Sequence, residues 1–131
     1  MRVLLDTNAL IWQLGISAEK SKIGPHTREL MQTAEVVYVS SISIVECHVK
    51  TMLGRLHVPE DFREEIVYAG DTLLDLSAAD ADIIRCLPEL SRHDPFDRML
   101  VAQAKTQHLT LLTADALLLD LGLPFVKDCR K

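Results

Sequence analysis

Five short apolar runs punctuate the chain: RVLLD (2–6), VVYVS (36–40), TLLDL (72–76), LTLLT (109–113) and PFV (124–126). Runs this short and this uniformly apolar suit strands buried on both faces, not strands with one wet side. The stretches between them read as helices. Strands that alternate with helices can close a core in few ways, chiefly as a mostly parallel sheet with helices on both faces. The expected fold class is therefore α/β, with about five strands in one domain spanning 1–131. A chain of 131 residues, 48% of them hydrophobic, can fill such a core.

The helical stretches are ALIWQL (9–14), a segment opening at Pro25 and His26 and running through Met31, and one capped by Ser40, Ser41 or Ser43 and running to about Leu53. Pro59 and Glu60 open another. SAAD (77–80) begins a helix, through about Leu87, in the manner of a capping box. A helix over 95–108 follows, then a short one from Ala114. Open α/β sheets collect their sites at the carboxyl ends of strands. Asp6 ends the first run, and Thr113 and Asp115 lie at the end of the fourth.

The segment HDPFDRML (93–100) carries two acids at a helix start. Asp94 is a good N-cap, and Pro95 suits the first helical position. Asp97 has no such local task. Helical steps from it lead to Leu100, Val101, Ala104 and His108, a mostly apolar stripe, so Asp97 is expected to point inward. The serine-capped helix repeats the pattern. Ile42, Val45, Val49, Met52 and Leu53 form its stripe, and Glu46 lies on it. If these two helix starts meet the strand ends, Asp6, Glu46, Asp97 and Asp115 form a carboxylate cluster. Two such charges about 5 Å apart repel by about 3 kcal/mol at an effective dielectric of about 20. A bound cation relieves this, and oxygen-only ligation favours Mg²⁺ or Mn²⁺. That chemistry suits phosphodiester hydrolysis.

All of these acids but Asp97 also have a plainer use. Asp6, Asp94 and Asp115 can cap helices, and Glu46 can lie at a rim with its stem on apolar surface. Asp75, Asp80 and Asp82 read as strand-end, cap and surface acids, and the serines as caps. His93 and His108 have no partners at ligand spacing, and Trp12 reads as core or interface. The net charge of −5 excludes tight passive binding of nucleic acid, but not a metal-using nuclease. Cys47, Cys86 and Cys129 make an odd count without a CxxC pair, as in a reduced, cytoplasmic protein. MRVLLD does not read as a signal peptide, and no run is long enough to span a membrane.

Taken in order, LLDTNALIW (4–12), SSISIVEC (40–47), HDPFDRMLVAQA (93–104) and LLTADALL (111–118) resemble the four acidic motifs of PIN-domain nucleases, closest to VapC-type ribonuclease toxins. ECHVKTMLGRL (46–56), with Lys50, resembles the family's intervening helix and turn. The resemblance implies a Mg²⁺- or Mn²⁺-dependent endoribonuclease of a type II toxin–antitoxin module. It also implies a homodimer, an RNA substrate and a cognate antitoxin. Asp6, Glu46, Asp97 and Asp115 would form the catalytic, metal-binding site. Asp94, Asn8, Thr113 and Arg98 would support it: Thr113 by orienting a carboxylate, Arg98 by pairing with an acid or an RNA phosphate. Asn8 stands where close relatives often have His. The antitoxin segment is expected along aliphatics near Leu10, Ile11 and Trp12 and the helix carrying Val49 and Met52. The alternative is a PIN-like scaffold that binds RNA or protein without cutting. A receiver or phosphotransferase reading fails, because LLDTN lacks the acid patterns of either.

Overall fold

The computed structural model describes residues 1–131. Its five strands are β1 (Arg2–Leu5), β2 (Val36–Ser40), β3 (Thr72–Leu74), β4 (Thr110–Thr113) and β5 (Val126–Asp128). All pair in parallel, in the order β3-β2-β1-β4-β5. The helices are α1 (Thr7–Leu14), α2 (Pro25–Thr33), α3 (Ser41–Met52), α4 (Phe62–Tyr68), α5 (Ala78–Asp82), α6 (Pro95–Gln107) and α7 (Ala116–Leu119). This is the α/β architecture that the apolar runs imply.

Alternation along the strands divides the core in two. Val3, Leu5 and Leu112 face one side, where they pack with Leu10 of α1, Cys47 of α3 and Ile66 of α4. Leu4 and Leu111 face the other, against Leu100, Val101 and Ala104 of α6 and Leu118 of α7. A sheet buried on both faces needs uniformly apolar strands, which is what the short runs supply.

Several boundaries differ from the sequence expectation. β5 begins at Val126, not at Pro124. Proline has no N–H for a ladder, and a turn from Leu123 O to Val126 N precedes the strand. The helix expected from Ser77 to Leu87 stops at Asp82 and continues as 3₁₀ turns at Ile83–Cys86 and Pro88–Leu90, where Pro88 forbids an α-helical continuation. α4 starts at Phe62, not at Pro59.

One reading of a helix face is overturned. Beyond Ile42, which packs against the core, the stripe on α3 is not buried: Val45 is 49% exposed, Val49 36%, Met52 83% and Leu53 60%. Ser43 and Cys47 are the buried residues of this helix. The expected groove near Leu10, Ile11 and Trp12 also needs correction, because all three are core residues, the most exposed being Trp12 at 8%.

Candidate active site

The parallel arrangement fixes where the acids go. Each strand ends at the same edge, and the helix that follows starts there. β1 hands over to α1 at Asp6, β2 to α3 at Ser40, and β4 to α7 at Asp115, while α6 starts beside them at Asp94. Each of these four residues is an N-cap whose side chain accepts backbone N–H groups of its helix. β1 and β4 are neighbours, yet the chain leaves β1 toward β2 and reaches β4 only later. This is the topological switch point at which α/β sheets open a crevice.

Asp6 is buried, and both of its oxygens are engaged. Oδ1 accepts from Ala9 N at 2.8 Å, and Oδ2 accepts from Thr113 Oγ1 at 2.6 Å. Burial pushes its carboxyl up to about 6. The Thr113 and Ala9 hydrogen bonds pull it down, and repulsion from Glu46 and Asp115 pushes it up. Thr113 is itself fully buried, and its hydroxyl oxygen also accepts from Asp115 N at 3.0 Å. One hydroxyl thus joins the two strand-end acids. Asp115 Oδ1 accepts from Leu117 N and Leu118 N.

Asp97 lies in the first turn of α6, half-buried, with Leu100, Val101 and Ala104 below it in the core. His108, the last residue of the expected stripe, is exposed and ends the helix with a left-handed φ of 57°. Asp97 carries the largest upward carboxyl shift of the site. Burial comes first, then repulsion from Asp115, Asp94, Asp6 and Glu46, and together they bring it to about 7. These repulsions put all five acids within electrostatic reach of one another at this edge of the sheet. The helix N-termini that surround it carry partial positive charge, which offsets part of the repulsion.

Glu46 takes a direction that its stripe did not foretell. Its Oε1 accepts from Thr7 Oγ1 at 2.7 Å, and its Oε2 lies 3.4 Å from Lys50 Nζ, one helical turn on. Thr7 Oγ1 also lies 3.1 Å from Ser43 Oγ. A hydroxyl has one proton, so Thr7 gives it to the carboxylate and accepts from Ser43. Sequence reasoning missed Thr7 and Ser43. The available signals were a hydroxyl directly after Asp6 and the spacing of Ser43 to Glu46 on one helical face.

The supporting residues divide. Asp94 is exposed and caps α6 through Phe96 N at 2.8 Å and, at longer range, Asp97 N. Arg98 is half-buried and forms no ion pair. Asn8 is exposed and lines a cleft of about 290 Å³ with Ile11, Trp12, Lys50 and Arg55.

An all-carboxylate donor set, with one lysine near it and raised carboxyls within it, suits a hard divalent cation. The oxygens available are those of Asp6, Glu46, Asp97 and Asp115. As the side chains stand, no three of them converge on a single point.

The PIN domain family model matches residues 3–122. None of the curated proteins is similar enough to match. Among solved structures, the chain resembles one from a toxin–antitoxin complex of Klebsiella pneumoniae, with 18% identity over 95% of both chains and a TM-score of 0.65. It also resembles one from VapBC2 of Rickettsia felis bound to a promoter DNA fragment, with 17% identity over 98% of both chains and a TM-score of 0.66. A third is from DNA-bound VapBC of Salmonella typhimurium, with 19% identity over 98% of both and a TM-score of 0.63. The likeness extends over the whole sheet and its helices, and the chain belongs to the PIN-domain family.

Proposed function

We propose that this protein is a Mg²⁺- or Mn²⁺-dependent endoribonuclease that acts as the toxin of a type II toxin–antitoxin pair. The observation that carries the reading is the gathering of Asp6, Glu46, Asp97 and Asp115 at one sheet edge, where mutual repulsion helps to raise Asp6 and Asp97. These four residues hold the metal. When bound, the ion activates water and polarises the phosphoryl group. The chain's own part is to hold the oxygens: Thr113 orients Asp6, Thr7 orients Glu46, and Asp94 anchors the helix start that presents Asp97. Lys50 pairs with Glu46, Arg55 shares a cleft with Lys50 and Asn8, and Arg98 follows Asp97; these cations meet RNA phosphates on a protein that is otherwise acidic. Asn8 lies on the same route.

The exposed Val45, Val49, Met52 and Leu53 face of α3 suits an amphipathic antitoxin segment. One arginine or lysine of that segment reaches the acids and competes with the metal. The protein works as a cytoplasmic homodimer. No helix is long and apolar enough to cross a membrane.

One observation favours the alternative of a non-cutting scaffold: no three acids meet around one point in this structure. Turnover separates the two. The purified chain with RNA and Mg²⁺ should cleave, EDTA should abolish cleavage, and Asp97→Asn should lower it by more than about 100-fold, since losing even an outer-shell partner costs 10–100-fold. Cleavage by Asp97→Asn at the wild-type rate in Mg²⁺ would overturn the assignment.

A further inference from the structure

A second polar site lies at the opposite edge of the sheet. Asp71 sits one residue before β3, and Val37 is the second residue of β2, so both mark strand beginnings. Beside them a cavity of about 520 Å³ is bordered by the last turns of α1, by α2 and by Ala69 and Gly70. Asp71 is 5% exposed. Its Oδ1 accepts from Gln13 Nε2 at 3.1 Å, and nothing donates to its Oδ2. Gln13 Oε1 is buried and equally without a donor. Protein interiors rarely leave such oxygens unmet. No cation of the chain answers the charge: Arg28 borders the cavity but is exposed and pairs with no acid. The remaining wall includes Trp12, Ile23, Met31 and Val37.

We propose that this cavity binds a small zwitterion of amino-acid size, with a guanidinium on Asp71 and Gln13, an apolar stem along Trp12 and Ile23, and a carboxylate toward Arg28. The two unmet atoms are both acceptors and are covered in this structure, so binding turns the Asp71 and Gln13 side chains toward the cavity and the ligand must bring donors. One belongs to a carboxylate, so the donors should be cationic. The Gln13–Asp71 hydrogen bond holds the two side chains together, which suits a planar fork of N–H groups better than a point ammonium. The volume lies in the ordinary range for small-molecule sites. None of this depends on the nuclease reading, because the acids of the other edge take no part.

Trp12 is the only tryptophan and borders the cavity, so its fluorescence reports on occupancy. The full chain is titrated at low salt with L-arginine and with agmatine, which has the guanidinium and stem but no carboxylate. Arginine should give a saturable change with a Kd on the order of 1 mM or tighter, and agmatine should bind more weakly. Asp71→Asn should weaken arginine by about tenfold or more, as expected for loss of a charge-assisted bond. Arg28→Gln, at an exposed position that leaves the fold intact, should bring arginine down to the agmatine level. The proposal is overturned by no saturable response to either compound up to about 10 mM. It is also overturned if the folded Asp71→Asn protein binds arginine as wild type does, or if wild type does not discriminate between the two compounds.

Discussion

The two edges of the sheet each hold a buried aspartate whose carboxyl is raised to about 6, Asp6 at one and Asp71 at the other. The shifts have different origins. Asp71 is raised by burial alone, against one hydrogen bond from Gln13. Asp6 is raised by burial and by two neighbouring acids, against hydrogen bonds from Thr113 and Ala9. Asp6 therefore sits in a device that holds both oxygens in place while other charges press on it. Asp71 sits in a gap. A divalent cation should relieve the first situation, whereas a donor-bearing ligand should relieve the second. The same raised carboxyl thus has two meanings, separated by whether other acids stand nearby and whether the oxygens are already held.

The sharpest way to break this contrast is to remove the hydroxyl that holds Asp6. Thr113→Val keeps the shape of the side chain but deletes the donor to Asp6 Oδ2 and the acceptor for Asp115 N. RNA cleavage should fall by about 10–100-fold, the usual cost of losing a residue that orients a metal ligand. Metal-free stability should fall by about 1–3 kcal/mol, because a buried oxygen loses its partner. Both are measurable on one preparation, by single-turnover cleavage and by denaturant melts. A loss of stability with wild-type cleavage would make Thr113 a packing residue and no more.

These features were unequally legible in the sequence. The sheet was readable, because burial on both faces demands uniformly apolar strands and the helices between them leave few topologies. The meeting of Asp6, Glu46, Asp97 and Asp115 followed from strand ends and helix starts. For Glu46, however, the reasoning led to the right place by a wrong route. The α3 stripe of Val45, Val49, Met52 and Leu53 was read as the inner face, and it is the outer one. Periodicity reports that a helix has an apolar side, not what covers that side. Glu46 turns to the crevice because Thr7 and Lys50 hold it there; Lys50 follows one helical turn on, a local signal, but Thr7 is 39 residues away and meets Glu46 only through the fold. Asp71 and Gln13 were invisible for the same reason. They are 58 residues apart and become a pair only through the fold.

The metal response should sharpen the comparison next. An ion that binds only the folded site stabilises by about 2.7 kcal/mol at 100 times its Kd. Wild type and Asp71→Asn should both show a Mg²⁺-dependent gain in stability of that size, seen as a rise in Tm, and Asp97→Asn should lose most of it. An equal response in all three would mean that Mg²⁺ acts elsewhere on the surface.

The smallest effect is in the pH dependence, and it can be read without RNA. Asp71 titrates near its ordinary value of 3.8 in the unfolded chain and near 6 in the folded one. Between those values the folded chain keeps a proton that the unfolded chain has released. Stability therefore falls as pH rises through about 4 to 6 and is regained on acidification. Asp97 does the same over a wider window, from about 4 to 7. Each contributes roughly 1–2 kcal/mol after solvent screening is allowed for. In EDTA, Asp71→Asn and Asp97→Asn should each flatten the fall in stability across its own window. Saturating Mg²⁺ changes only one edge, because a bound cation keeps Asp6 and Asp97 charged and excludes their protons. With Mg²⁺ present, Asp97→Asn should no longer flatten the profile relative to wild type, whereas Asp71→Asn should flatten it as before. Denaturant melts at half-unit pH steps, in EDTA and in Mg²⁺, measure all six slopes. If Mg²⁺ leaves the Asp97 contribution untouched, the acids of the crevice do not share an ion, and the two edges differ only in their hydrogen bonds and in the repulsion from neighbouring acids.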